Sequence, residues 1–110
     1  MFNNYDIRYT QHSQNDVINM RRYILNEFKY LELVDNFDRK VSKAIKKIQN
    51  APKIYQSTEF CYRGYEIYMR CVGSYLFFYI VEDVTIILLR VLQNGMNWKY
   101  IIKSWIEEND

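Results

Sequence analysis

VGSYLFFYIVEDVTIILLRVLQ, residues 72–93, is the most apolar part of the chain, and its reading decides the fold. Two hydrophobic runs, 75–81 and 84–92, flank the acidic pair Glu82-Asp83. That pair leaves apolar pieces far short of the roughly 20 residues that a bilayer-spanning helix requires. Each run has strand length, is bounded by turn residues and is rich in β-branched and aromatic side chains. Both are apolar at successive positions rather than alternate ones, which predicts strands covered on both faces. A third strand candidate, YEIYMRCV (65–72), precedes Gly73. Tight turns at Gly73 and at Glu82-Asp83 make neighbours antiparallel, so a three-stranded meander across 65–93 is predicted.

Outward from the meander, the N-terminal YDIRYT (5–10) alternates Tyr5, Ile7 and Tyr9 with Asp6 and Arg8, a short strand. Thr10 and Ser13 are candidate N-caps for a helix over 12–29, whose apolar stripe is Val17, Met20, Ile24, Phe28 and Leu31. A second stripe (Val34, Phe37, Val41, Ala44, Ile45, Ile48) predicts a helix over 34–50. The short connection makes the two an antiparallel hairpin. Trp98, Ile101, Ile102 and Trp105 give a last helix over 97–107. The predicted class is α+β: an N-terminal strand, a helical hairpin packed on one face of a small sheet, the meander and a C-terminal helix, in one domain spanning 1–110.

Arg90 stands between Leu89 and Val91 and by strand parity shares a face with Val84, Ile86, Leu88 and Leu92. A buried guanidinium must be paired, because an uncompensated buried charge costs several kcal/mol. A salt bridge to a carboxylate such as Glu66, or bonds to backbone carbonyls, is the structural expectation. The functional alternative is a cation held in a cleft and aimed at an anion.

Charge is uneven along the chain. Net charge is +2 overall, and the segment RKVSKAIKKIQNAPK (39–53) has six cations and no acid. Lys40, Lys43, Lys46 and Lys47 lie away from the second helix's apolar stripe and are expected to point outward. Such a patch suits RNA, DNA or an acidic protein tail, or is a solvated helix face. Eleven of the 110 residues are tyrosine, which predicts many half-buried rings.

Most catalytic chemistries have no residues to run them. His12 is the sole histidine, and Cys61 and Cys71 are the only cysteines. No zinc grouping, Gly-rich phosphate loop or H-E-x-x-H is present, so no metal or cofactor is expected. Two cysteines do not make a disulfide framework. They are expected unbridged, with Cys71 buried and inert. The N-terminus lacks the pattern of a signal peptide, and a cytoplasmic protein is expected. What remains is basic and aromatic: Lys53, Arg63 and Arg70 interleave with Tyr55, Tyr62, Tyr65 and Tyr68. Cations for phosphates mixed with rings for bases are the general recipe for single-stranded nucleic acid.

The stretch MRCVGSYLFFYIVEDVTIILLRVLQNGMNW resembles the C-terminal half of the RelE/ParE toxin superfamily. Arg70, Gly73, Tyr75, Phe78, Tyr79, Arg90, Val91, Leu92, Gly95 and Trp98 fall on that family's pattern of arginine strand, Gly-x-Tyr turn, aromatic strand and Arg-Val-Leu strand. The opening YDIRYTQHSQNDVINM is similar to the family's first strand and helix. The resemblance implies the toxin of a bacterial type II toxin–antitoxin pair, with a cognate antitoxin as partner. Its members divide into ribosome-dependent mRNA-cleaving enzymes and inhibitors of DNA gyrase without known catalytic groups.

The resemblance favours the first branch, because the basic patch and Arg63 fall where RelE-like toxins carry theirs; the ribosome and mRNA are then the targets and Lys53, Arg63 and Arg70 the catalytic candidates. Lys53, or Lys47, would take the 2′-hydroxyl proton, and the arginines would stabilise charge on the phosphate. Lys40, Lys43, Lys46, Lys47, Tyr65 and Trp98 would hold the nucleic acid. The chain departs from the family's common pattern at Leu76, Gln93, Met96 and Asn97, where basic residues or histidine often stand. Those losses favour the gyrase branch or an inactive relative that only binds its antitoxin.

Overall fold

The computed structural model describes residues 5–110. In chain order the elements are β1 (Asp6–Tyr9), α1 (Gln11–Phe28), α2 (Leu31–Asn50), β2 (Gln56–Tyr62), β3 (Tyr65–Val72), β4 (Tyr75–Glu82), β5 (Thr85–Gln93) and α3 (Trp98–Asn109). One sheet runs β1-β5-β4-β3-β2, with β1 parallel to β5 and the other neighbours antiparallel. This is the α+β order expected, with one strand more than the sequence revealed. The added strand is β2.

Its alternation is hidden by a bulge. Ser57 pairs with Tyr68 and Cys61 with Glu66, so three residues of β2 face one of β3. Glu59 takes a left-handed φ of 69° there. Thr58, buried, donates its hydroxyl to the Ile67 carbonyl (2.7 Å) and accepts from the Phe60 amide (3.1 Å). A satisfied threonine thus stands where an apolar residue would have marked the strand. Arg63 and Gly64 form the following turn with φ of 53° and 84°, the two positive values of a type I′ hairpin.

The sheet is covered on both faces. Along β4, Phe77, Tyr79 and Val81 pack under the helical hairpin with Ala44, Ile48, Ile86, Leu88 and Val91. Leu76, Phe78 and Ile80 point the other way, against Ile102 and Trp105 of α3 with Ile67, Leu89 and Leu92. The third helix therefore lies opposite the hairpin rather than beside it. Trp105 donates its indole N–H to Nδ1 of His12 at 3.1 Å, tying α3 to the first turn of α1.

A bulge in β5 lets residues three apart share a face: Leu88 with Val91 under the hairpin, Leu89 with Leu92 under α3. Phe78 pairs with Arg90 and Tyr79 with Leu88, leaving Leu89 as the extra residue. Strict parity across β5, which would place Arg90 with Ile86 and Leu88, is thus broken at this point. Arg90 reaches the sheet edge beyond the end of β1. Its partner is Asp16 of α1, not Glu66: Nε and Nη2 donate to the carboxylate at 2.7 and 3.0 Å, and the Val91 amide adds a third bond at 2.9 Å. The side chains keep only 20% and 15% of their surface exposed, so the pair is largely desolvated.

Thr10 begins α1 as the N-cap expected. Its hydroxyl accepts from the Ser13 amide (3.0 Å) and donates to the Leu89 carbonyl (2.8 Å). The hairpin turns through Lys29 at a left-handed φ of 58°. Both cysteines are free and exposed, so Cys71, next to last in β3, is not the buried thiol expected. No helix among the described residues is long and apolar enough to cross a membrane.

The Asp16–Arg90 pair makes a direct stability prediction. Asp16→Ala leaves a largely buried guanidinium and the Val91 amide without partners, and should cost about 3 kcal/mol in urea unfolding. The double variant Asp16→Leu/Arg90→Leu, which removes both charges, should recover most of that loss. A cost below about 0.5 kcal/mol for Asp16→Ala would mean that the pair is solvated in solution.

Candidate functional site

The largest meeting of cations and aromatic rings is on the hairpin side of β3, just past the C-terminal end of α2. Antiparallel register sets Tyr68 opposite Tyr79 and Arg70 opposite Phe77. Tyr68 and Tyr79 stack with centroids 5.8 Å apart. The Arg70 guanidinium lies 4.3 Å from the centre of the Tyr55 ring, a cation–π contact, and its Nε is buried without a partner. Tyr79 is fully buried and donates its hydroxyl to the Pro52 carbonyl at 2.6 Å. That bond fixes the loop carrying Lys53, which is exposed beside the cluster.

The electrostatics follow from burial. Desolvation pushes the Tyr79 phenol far above its ordinary value, nearby Tyr55 and Tyr68 push the same way, and Arg70 opposes them weakly. The Tyr68 phenol is also raised, first by burial and then by Glu66, which accepts a hydrogen bond from Ser57. Neither tyrosine is disposed to act as a base near neutral pH.

The other candidates do not converge here. Arg63 sits in the β2–β3 turn with its guanidinium 5.0 Å from the Tyr62 ring centre. Six residues lie between it and Arg70, and from the turn to Arg70 the strand runs about 20 Å at ~3.3 Å per residue. The two arginines cannot act on one phosphate, which separates two of the three catalytic candidates. Lys40, Lys43, Lys46 and Lys47 are exposed on the outer side of α2. Tyr65 and Trp98 belong to the opposite side of the sheet. Trp98 packs on Phe78 (5.5 Å) and edge-on to Phe60 (6.5 Å), which makes it a core-flanking ring. Arg90 is neutralised by Asp16 and is part of the scaffold.

The positions that depart from the family pattern are equally informative. Leu76 is buried under α3, and Asn97 caps that helix through the Tyr100 amide. Gln93 and Met96 line a hollow of about 440 Å³ with Asp16, Met20, Tyr23 and Arg90. A second hollow, between the helices, is lined by Ile24, Phe28, Leu33, Phe37 and Tyr75 with Lys40 among them. Sequence reasoning missed both hollows and Asp16. The available signal for Asp16 was that it is the only acid in the first half of α1.

The family model of the ParE toxin of the type II toxin–antitoxin system parDE matches residues 7–98. The chain belongs to the ParE toxin family. As a family member it is a type II toxin of the RelE/ParE superfamily. The fold is similar to a chain of the chromosomal ParDE toxin–antitoxin system of P. aeruginosa, with a TM-score of 0.68 at 9% identity, covering 84% of this chain and 99% of that one. It is also similar to a chain of the RelBE2 toxin–antitoxin complex of Mycobacterium tuberculosis, with a TM-score of 0.56 at 16% identity, covering 84% and 93%. No curated protein matches this ParE-family chain in sequence.

The buried phenol gives a titration prediction. A folded-state pKa raised above the unfolded value near 10 means that the folded protein holds the proton longer than the unfolded chain. The stabilisation is therefore complete below pH ~10 and is lost as pH rises beyond it. Tyr79→Phe should flatten that alkaline fall in unfolding free energy and cost about 1 kcal/mol at pH 7, through the lost bond to Pro52. An alkaline slope unchanged in Tyr79→Phe would assign the effect to other groups.

Proposed function

We propose that this toxin acts by binding DNA gyrase without catalysis, and that a cognate antitoxin encoded beside it neutralises it. The observation that carries the reading is the separation of the cations. Arg63 and Arg70 lie at opposite ends of β3, Arg90 is spent on Asp16, and the lone histidine serves α3. A protein–protein mechanism needs no convergent acid, base and phosphate clamp. The match to the ParE branch supports the same reading, because gyrase inhibition is what the resemblance implies for that branch. A gyrase target also agrees with a cytoplasmic site of action.

The antitoxin reading is supported by the toxin–antitoxin systems among the structural neighbours. An unpartnered apolar surface on the hairpin supports it too: Leu25, Phe28, Tyr30, Leu31 and Leu33 are all exposed at its free end. Contiguous apolar surface on a small protein marks a partner site.

The Lys53–Tyr55–Arg70 patch supports a second reading, cleavage of mRNA on the ribosome. There Arg70 would stabilise the phosphate charge, Lys53 would move the proton, and Arg63 would contribute little.

The two readings separate experimentally. Expression of the chain alone should arrest bacterial growth, and co-expression of the adjacent small reading frame should restore it. Purified toxin should inhibit gyrase supercoiling and leave mRNA intact on programmed ribosomes. Arg70→Ala should then leave toxicity within about threefold of the parent. If gyrase is unaffected, mRNA is cut, and Arg70→Ala slows cutting ~100- to 1,000-fold while Arg63→Ala does not, the nuclease reading replaces the first. Unimpaired growth at high toxin levels would favour an inactive relative.

A further inference from the structure

We infer that the outer face of α2 binds the phosphate backbone of duplex DNA without reading its sequence. Arg39, Lys40, Lys43, Lys46 and Lys47 are all exposed. At ~100° per residue they fall within an arc of about 120° on one helix. The buried stripe Val34, Phe37, Ala44 and Ile48 is centred on the opposite side. Packing therefore takes one face of α2 and leaves the cationic face to solvent.

Those charges are not neutralised internally. Among the described residues, the ion pairs are Arg21–Asp38 and Arg90–Asp16. Asp38, the acid nearest the row, is held by Arg21 through two bonds of 2.7 and 3.1 Å. From Arg39 to Asn50 the helix has no acid at all. Lys53 adds a further exposed cation just beyond its end.

The composition of the arc selects the partner. Protein interfaces are depleted in lysine and enriched in aromatic residues, and this arc has four lysines and no ring. Single-stranded nucleic acid is gripped by stacking on aromatic side chains, which are absent from it. A membrane-surface helix needs apolar residues bordering the cations on its exposed side, whereas here the apolar stripe is buried in the sheet. What remains is a regular array of phosphates. From Arg39 to Lys47 the row is about 12 Å long at ~1.5 Å per residue. The B-DNA major groove is about 12 Å wide, so the two ends of the row can reach phosphates on both rims. Lysine heads on long stems contact phosphates as point charges and do not discriminate bases.

This inference stands apart from the gyrase reading, because the test contains neither gyrase nor antitoxin. Fluorescence anisotropy of a labelled 30-base-pair duplex of arbitrary sequence would be followed from 50 to 200 mM KCl. Four to five phosphate contacts predict a loss of affinity on the order of 10²- to 10³-fold across that range. Lys40→Gln/Lys43→Gln/Lys47→Gln should reduce the magnitude of the log–log salt slope by about 2.7, at ~0.9 per contact. The corresponding Lys→Arg triple should retain binding, and Lys99→Gln/Lys103→Gln on α3 should leave the slope unchanged. Matching circular-dichroism melts would show that the variants fold. Absence of binding at 50 mM KCl, equal loss in the α2 and α3 variants, or tighter binding to single strands, duplex RNA or phosphatidylglycerol vesicles than to duplex DNA would each overturn the inference.

Discussion

The strand β5 is hydrogen-bonded along its full length on one side and only half its length on the other. β1 ends at Tyr9, opposite Leu88, while β5 continues to Gln93. A bare strand edge is a site for unwanted pairing, and its buried amides and carbonyls need partners. The chain solves this by turning directly from β1 into α1 and closing the edge with side chains. Thr10 takes the Leu89 carbonyl, and Asp16 takes the Val91 amide together with the Arg90 guanidinium. The clamp fixes α1 on the sheet, α1 packs against α2, and α2 completes the hairpin-side core. Asp16 can be desolvated because three donors satisfy its two oxygens.

The bulge at Leu89 belongs to the same arrangement. One extra residue resets the alternation, so that Leu88 and Val91 share the hairpin-side core and Leu89 and Leu92 the α3-side core. It also brings Arg90 to the edge where Asp16 waits. A strictly alternating strand would place the guanidinium in line with Ile86 and Leu88, whose side chains are fully buried in the hairpin-side core. The local irregularity thus makes a charged residue tolerable in an otherwise apolar strand.

Element order was legible because each element obeys its own local rule: alternation in β1, stripes at three and four in the helices, glycine and acidic turns in the meander. β2 was not legible, since its inward position is a threonine satisfied by its neighbour and its spacing is broken at Glu59. The partner of Arg90 was out of reach for another reason. Asp16 lies 74 residues away and is brought near only by the parallel β1–β5 pairing. Grouping Arg63 with Arg70 failed on geometry, because Arg63 stands in the β2–β3 turn and Arg70 lies most of a strand's length away in β3. Tyr65 is turned from the hairpin side by strand alternation, and Trp98 by the packing of α3 on the other face of the sheet.

These separations bear on how one fold can serve two toxin mechanisms. The core requires only the apolar alternation of β3, β4 and β5 and the stripes of three helices. Every cation except Arg70 and Arg90 is exposed and stands outside those requirements. Substitution at such exposed positions usually changes stability by less than about 0.5 kcal/mol. Folding therefore neither demands nor forbids a lysine at positions 40, 43, 46 or 47, and it does not call for an arginine at 70, where a buried Nε is left without a partner. An unpaired buried donor carries a cost that packing against Tyr55 offsets only in part. The outer face of α2 and the Arg70 patch are thus carried on a scaffold that does not require their charges.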